Sequence, residues 1–448
     1  MLHIKKLFIS FLMLPVASLA QNNISTLLDN YMQAQVNINE FTGTVLVAQK
    51  GKIIYEKAFG MADREWNIPN TIQSKFEIGS VTKQFTSVCI LQLVEQGKLS
   101  LDDKLSKYFA DFPKSDSVTV HMLLTHTSGI KDYTQVPEFG KVATLHLEKD
   151  SLVALIKKQP YIFSPGTKWS YSSSGYFLLG YIIEKVSGKS YSDYVYNNVI
   201  QKAGLKNTCV NRWDSILLYR AKGYGKTTGG WKNADYISME GPNSAGAIIS
   251  TIEDLYQWNN ALFSNQIISA ASFSKMTTPY QGHYGYGLSI DSFQHHLEIG
   301  HSGGINGFTS FLGRFPTDDV VVAGLSNEET TNTQGIVNAL AAIVFDIPVI
   351  TPYKHTEVKV DSSILKRYVG AYKLTNAQIY TLKIKEGKLY IHSQDGNDEY
   401  EFKPESETKF FFTPSPDAYQ YEFEVDNKGK VIKTYFINAG IKNEIKKM

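Results

Sequence analysis

Cysteine is scarce: Cys89 and Cys209 are the two in 448 residues. That number excludes a disulfide-stapled scaffold, and their separation in sequence gives no basis for inferring a bridge. Cys89 lies in an apolar run with no neighbouring base, which argues against a thiol nucleophile. Long hydrophobic stretches are missing after the N-terminus, so no segment of the ~20 apolar residues needed to span a bilayer is expected. Neither sign of charge dominates, with 45 Lys and Arg against 43 Asp and Glu. No dense basic stripe with interleaved aromatics occurs, which excludes nucleic acid as the expected partner and leaves small molecules or peptides. Metal-ligand patterns are lacking too: His295, His296 and His301 have no helical ligand spacing and no accompanying carboxylates, so neither a metal nor another cofactor is expected.

The hydrophobic fraction of 43% is that of a globular chain, and the length suits two or three domains. Residues 1–20 carry Lys5 and Lys6, an apolar stretch from Leu7 to Val16, and the small-residue cleavage pattern Ser18-Leu19-Ala20. This predicts a removable signal peptide and an exported protein, periplasmic or extracellular, without stable membrane insertion. A helix is expected over Ile24–Val36, then a β-hairpin of Gly43–Gln49 and Lys52–Phe59 about Lys50-Gly51. From about Phe76 to Ala261 the pattern is mostly helical, strand-like runs return over Tyr286–Leu325, and Ile336–Phe345 reads as a helix. A linker at 351–358 separates a domain over 21–350 from one over 359–448. The second is a series of short β runs divided by Glu386-Gly387-Lys388, Asp395-Gly396-Asn397 and Asn427-Lys428-Gly429-Lys430, the turns of an antiparallel barrel.

The segment richest in chemistry is Glu77-Ile78-Gly79-Ser80-Val81-Thr82-Lys83. Residues three apart share a helix face, so the Lys83 amine can reach the Ser80 hydroxyl at a helix N-terminus, where developing negative charge is favoured. Ser128/Lys131, Ser272/Lys275, Ser363/Lys366 and Ser406/Lys409 repeat the spacing, but only Ser80 follows a glycine and opens a buried-looking helix that Gly97 ends. The competing role for Ser80 is an ordinary N-cap.

Two other segments supply what such a serine needs. Tyr171, in the loop before an apolar helix over Phe177–Val186, has a phenol of ordinary pKa ~10, and a cation such as Lys83 favours its phenolate, a base for the Ser80 proton. The glycine-rich turn Gly300-His301-Ser302-Gly303-Gly304 lets backbone approach a ligand, so an amide there opposite that of Ser80 gives a two-donor oxyanion hole. His301 is placed to donate to a substrate carboxylate or to join the proton network. Val120–Gly129 reads as a short helix whose His121 and His126 serve structure.

Together these segments resemble the serine beta-lactamase and penicillin-binding superfamily, in the branch of class C beta-lactamases, D-alanyl-D-alanine carboxypeptidases and related esterases. Ser80-Val81-Thr82-Lys83 matches the first motif, Tyr171-Ser172-Ser173 occupies the second and His301-Ser302-Gly303 the third. Leu123 to Gly129 and Pro165-Gly166 are also typical. The resemblance implies an α+β fold, an antiparallel sheet flanked by helices with a helical subdomain, and an acyl-enzyme on Ser80. It further implies proton handling by Lys83 and Tyr171, a pocket lined by His301, an oxyanion held by the amides of Ser80 and Gly304, and substrate contacts from Ser173, Ser302 and Gly303. Ser173 replaces the usual asparagine and His301 the lysine that beta-lactamases prefer, which speaks against efficient antibiotic hydrolysis. The last ninety or so residues, with Leu365 to Tyr372, resemble the lipocalin-like β domain of related exported peptidases, with covering of the active-site cleft, oligomer formation and a passive stabilising barrel as the open roles. Peptide or amide hydrolysis is expected, with an esterase, a weak beta-lactamase or a silent ligand-binding protein as the open alternatives.

Overall fold

A computed structural model describes residues 16–227, 229–374, 379–393, 399–412 and 419–448. Most of the expected leader therefore lies outside the described residues. Its end runs into the first helix, α1 (Val16–Asn37), which begins before the expected Ile24. The hairpin strands β1 (Gly43–Gln49) and β2 (Lys52–Phe59) follow. Lys50 and Gly51 between them have φ of 51° and 72°, the pair of positive angles that matches a two-residue turn to strand twist.

Next come α2 (Thr82–Glu95), α3 (Ser173–Ser187) and α4 (Ile252–Phe263). They are followed by β3 (Ser289–Phe293), β4 (His296–Ile305), β5 (Phe308–Phe315), β6 (Val320–Ser326) and α5 (Thr333–Val344). The six strands form one sheet in the order β3-β4-β5-β6-β1-β2, antiparallel throughout. Helices cover both faces, so the central strand β6 is buried at every position and reads as a continuous apolar run.

On one face α1 and α5 pack Leu28, Met32, Val337 and Leu340 against Val45, Val47 and Val322. On the other, Leu46, Ala323 and Leu325 meet a larger core that holds α2, α3 and α4. There Phe85 of α2 stacks on Trp258 of α4 with ring centroids 4.0 Å apart, and the indole N–H donates to Gln84 Oε1 at 2.9 Å. Removing either ring would cost about 3–5 kcal/mol, so α2 is held rigidly where it carries Lys83 one turn beyond Ser80. The short helix expected over Val120–Gly129 stops at Leu124, because His126 turns to φ 58° and takes the chain out of helical geometry.

Beyond α5 the chain reaches eight strands from Gly370 to Lys447 that close into an antiparallel barrel in sequence order. The turn expected at Asp395-Gly396-Asn397 lies outside the described residues. Tyr368, Tyr372, Phe402, Phe410, Tyr421 and Phe423 fill the interior. The barrel docks on the first domain through its final hairpin: the Tyr31 hydroxyl donates to the Ala439 carbonyl at 2.9 Å, Asn332 Nδ2 donates to Asn438 Oδ1 at 2.7 Å, and Ile441 joins the core between α1 and α5. Among the described residues no helix is long and apolar enough to cross a membrane.

Candidate active site

Ser80 lies inside a 3-10 turn, Gly79–Val81, that leads into α2, and the N-cap positions of the two helices fall to Ile78 and Val81. An ordinary cap is thereby set aside. Its hydroxyl accepts from Lys83 Nζ at 2.9 Å instead, and the same nitrogen donates to the Ala245 carbonyl at 2.8 Å. Lys83 is fully buried. Burial pushes its pKa down from 10.5 to about 7, with the nearby Asp132 opposing the shift, so near neutral pH a large fraction of the amine is uncharged.

Tyr171 comes to the same place from the loop ahead of α3. Lys83 Nζ is 4.9 Å from its ring centroid, and its hydroxyl is within hydrogen-bonding reach of Ser80. Burial drives this phenol upward, well above its ordinary range. Burial therefore disfavours the expected phenolate at rest, because a buried anion is costly and the cation that would stabilise it is itself shifted toward its neutral form. His126 fixes the loop. Its Nδ1 accepts from the Ser172 N–H at 3.1 Å, and its ring packs on Tyr171 with centroids 4.4 Å apart. Asp132 Oδ2 accepts from the Ser173 N–H at 3.0 Å.

Strand β4 forms the opposite wall. Its residues 296–300 pair with β3, and the stretch from His301 to Ile305 runs past the end of that neighbour. Gly79 has φ 48°, and a Cβ there would lie 2.9 Å from the Gly304 nitrogen. This close approach of two backbones brings the Ser80 and Gly304 amides to one cleft, and it requires glycine at Gly79. Gly303 faces inward rather than toward a ligand, since a Cβ on it would sit 2.0 Å from the Ile78 carbonyl oxygen. Ser302 is exposed on the cleft rim.

His301 is occupied on both ring nitrogens. Nδ1 lies 2.5 Å from the Ser302 carbonyl, which can only accept, so Nδ1 carries the proton and Nε2 accepts from the Tyr284 hydroxyl at 2.8 Å. Burial and the Lys83 charge lower its pKa to about 3. It is a neutral, tethered side chain here, without the free donor expected for a substrate carboxylate. The cleft measures about 430 Å³ and is lined by Ser80, Trp169, Tyr171, Tyr284, His301 and Gly304 among others. Ser173 is buried at the start of α3 and is not one of the lining residues. Trp169, Tyr284 and Ala245 escaped the sequence reading. Trp169 stands two residues before Tyr171 and was within reach of it, whereas nothing local marks the other two. Among the described residues no cluster of three or more His, Cys, Asp or Glu could hold a metal.

A serine and a buried lysine one helical turn apart, opposite an open strand edge on an α+β sandwich, define a serine hydrolase of the penicillin-recognising kind. The Beta-lactamase family model matches residues 28–345, more than half of the chain, and the protein belongs to that family. Residues 354–439 match a domain of unknown function, DUF3471. Penicillin-binding protein 4* of Bacillus subtilis (strain 168) is 30% identical over 403 residues, 83% of this chain and 88% of its own. The octameric penicillin-binding protein homologue from Pyrococcus abyssi superposes with a TM-score of 0.67 at 25% identity, over 94% of this chain and 99% of that one. The D-amino acid amidase from Ochrobactrum anthropi SV3, complexed with L-phenylalanine amide, gives 0.65 at 25% identity, over 73% and 99%.

Proposed function

We propose that the protein is an exported hydrolase that cleaves amide or peptide bonds, with D-amino-acid-containing peptides the preferred class, through an ester on Ser80. The observation that carries this reading is the 2.9 Å bond between a fully buried Lys83 Nζ and Ser80 Oγ. Neutral Lys83 takes the hydroxyl proton as Ser80 Oγ attacks the acyl carbon. Tyr171, kept as a phenol by burial, relays that proton to the departing amine nitrogen. The oxyanion is held by the backbone amides of Ser80 and Gly304, donors fixed before reaction and free of reorganisation cost. Water then attacks the ester, and the Lys83-Tyr171 pair receives its proton and returns one to Ser80. The open edge of β4 next to Ser302 suits an extended acyl chain added as a further strand.

The amidase and the penicillin-binding relatives support an acyl donor with D configuration. His301 in the place of lysine, and neutral, weakens the case for beta-lactam turnover. The leader pattern of residues 1–20 supports export to the periplasm or beyond the cell. The octameric relative, which the chain matches over its barrel as well, supports self-association with the barrel taking part.

Intact-mass spectrometry after a fluorophosphonate or a penicillin tests the reading. One adduct per chain is expected on Ser80 and none on Ser80→Ala, and Tyr171→Phe should lose ~10²–10⁴ in turnover with its fold retained. Absence of any adduct on the native protein under all conditions would make it a ligand-binding protein instead.

A further inference from the structure

Behind the catalytic strand lies a second cavity, of about 280 Å³, over the opposite face of β3, β4 and β5 beside the first turns of α5. Strand alternation puts Glu298, Gly300 and Ser302 on this face, turned away from the His301 side. Two of its lining side chains are out of balance. Glu298 and Asn338 are 8% and 7% exposed, and Glu298 Oε1 and Asn338 Oδ1 have no hydrogen-bond partner among the described residues. The one link between them is a long bond from Asn338 Nδ2 to Glu298 Oε2 at 3.4 Å.

Both orphaned atoms are acceptors. Buried acceptors without donors are destabilising unless something supplies the missing hydrogens. No lysine, arginine or histidine lines the cavity, while Asp291 and Ser289 add further acceptor capacity. Burial and the Asp291 charge push the Glu298 carboxyl up to about 7, as expected for a carboxylate whose cationic partner is missing. The cavity holds a few heavy atoms, and a compact group with several N–H donors and one positive charge answers the two orphaned acceptors and the absence of a lining cation.

We propose that this cavity is a second ligand site, which receives a small primary ammonium group on Glu298 Oε1 and Asn338 Oδ1. The cavity shares Ser289 and Ser302 with the catalytic cleft, so the ammonium can belong to a free amine or to the far end of a substrate lying along β4. Both flanks are also tied to the barrel: Gln294, in the β3–β4 turn, donates to Asn443 at 2.7 Å, and Asn332, which caps α5, donates to Asn438. Occupancy is thereby positioned to be felt by both domains.

Calorimetry with methylammonium and ethylammonium on the full chain tests the proposal, with tetramethylammonium as a cation that has no N–H. Saturable binding of the two primary amines alone is expected, unchanged after Ser80 is blocked by a fluorophosphonate, and weakened about tenfold or more in Glu298→Gln. Should that buried variant fail to fold, Gln334→Trp, at an exposed rim position, closes the cavity and must abolish binding. A substrate bearing a terminal ammonium separates the two sources: if that group occupies the site, its KM rises in Glu298→Gln and that of its N-acetylated counterpart does not, and if a free amine does, both KM values stay level while amine binding is lost. Binding of tetramethylammonium equal to that of the primary amines, equal binding in all variants, or no binding at all would overturn the assignment and leave water as the occupant. Because these amine titrations do not read catalysis, their failure leaves the acyl-enzyme reading standing, and loss of that reading leaves them intact.

Discussion

The Tyr284 hydroxyl donates a hydrogen bond to His301 Nε2 at 2.8 Å. The bond reaches from a loop to strand β4 and joins two buried groups, with the Tyr284 ring also packed on His126 at 4.5 Å between centroids. With Nδ1 turned to the Ser302 carbonyl, the imidazole is held in one tautomer and one orientation. It serves the cleft as a fixed wall, and the tyrosine is what fixes it.

Tyr284→Phe leaves Nε2 buried without a donor, a loss of about 1–3 kcal/mol. Urea unfolding should register that destabilisation. The His301 pKa, followed by NMR, should rise from its low value, since the donor that favoured the neutral ring is gone. Unchanged stability together with an unchanged histidine titration would remove this role from Tyr284.

Activity should climb as pH rises through about 7, where Lys83 loses its proton, and the acylation rate should follow a single ionisation. His301, with its pKa near 3, adds no second limb above mildly acidic pH. The same shift has a stability consequence of defined sign. The unfolded lysine keeps its proton up to 10.5 and the folded one sheds it near 7, so the unfolded state holds more protons in that window and stability rises with pH across it. Below about 7 the penalty of the buried charge is felt in full. Stopped-flow acylation and denaturation, each run as a pH series, check the two halves, and a rate flat from acid to alkali would sink the first.

Gly303→Ala drives a methyl group into the Ile78 carbonyl, 2.0 Å from the ideal Cβ position. Backbone must move, at a cost of about 1–3 kcal/mol or more, and the segment displaced is the one that presents Ser80. Both thermal stability and acylation rate should fall. A variant with lowered stability and a normal acylation rate would show that the oxyanion site tolerates the shift.

The pairing of Ser80 with Lys83 is legible in the sequence. Ser80 and Lys83 are local, one turn apart, and the apolar run after them declares the helix that carries them. The β1–β2 hairpin was equally plain, since Lys50-Gly51 encodes the turn by itself. What stayed hidden depends on tertiary packing. Ala245 acts through its carbonyl, which any residue would provide, and Tyr284 is one of 27 tyrosines whose meaning comes from a partner 17 residues away across a strand pair. Protonation states are hidden for the same reason: a motif names Lys83 and Tyr171, whereas the depth of their burial favours the neutral form of both. A motif marks Gly303 but not the Ile78 carbonyl packed against it, which leaves no room for a side chain.

The bond from Tyr31 to Ala439 spans 408 residues of chain. During synthesis α1 therefore leaves the ribosome long before the hairpin that completes its surroundings, and that seam cannot close until the barrel's final hairpin has followed it out.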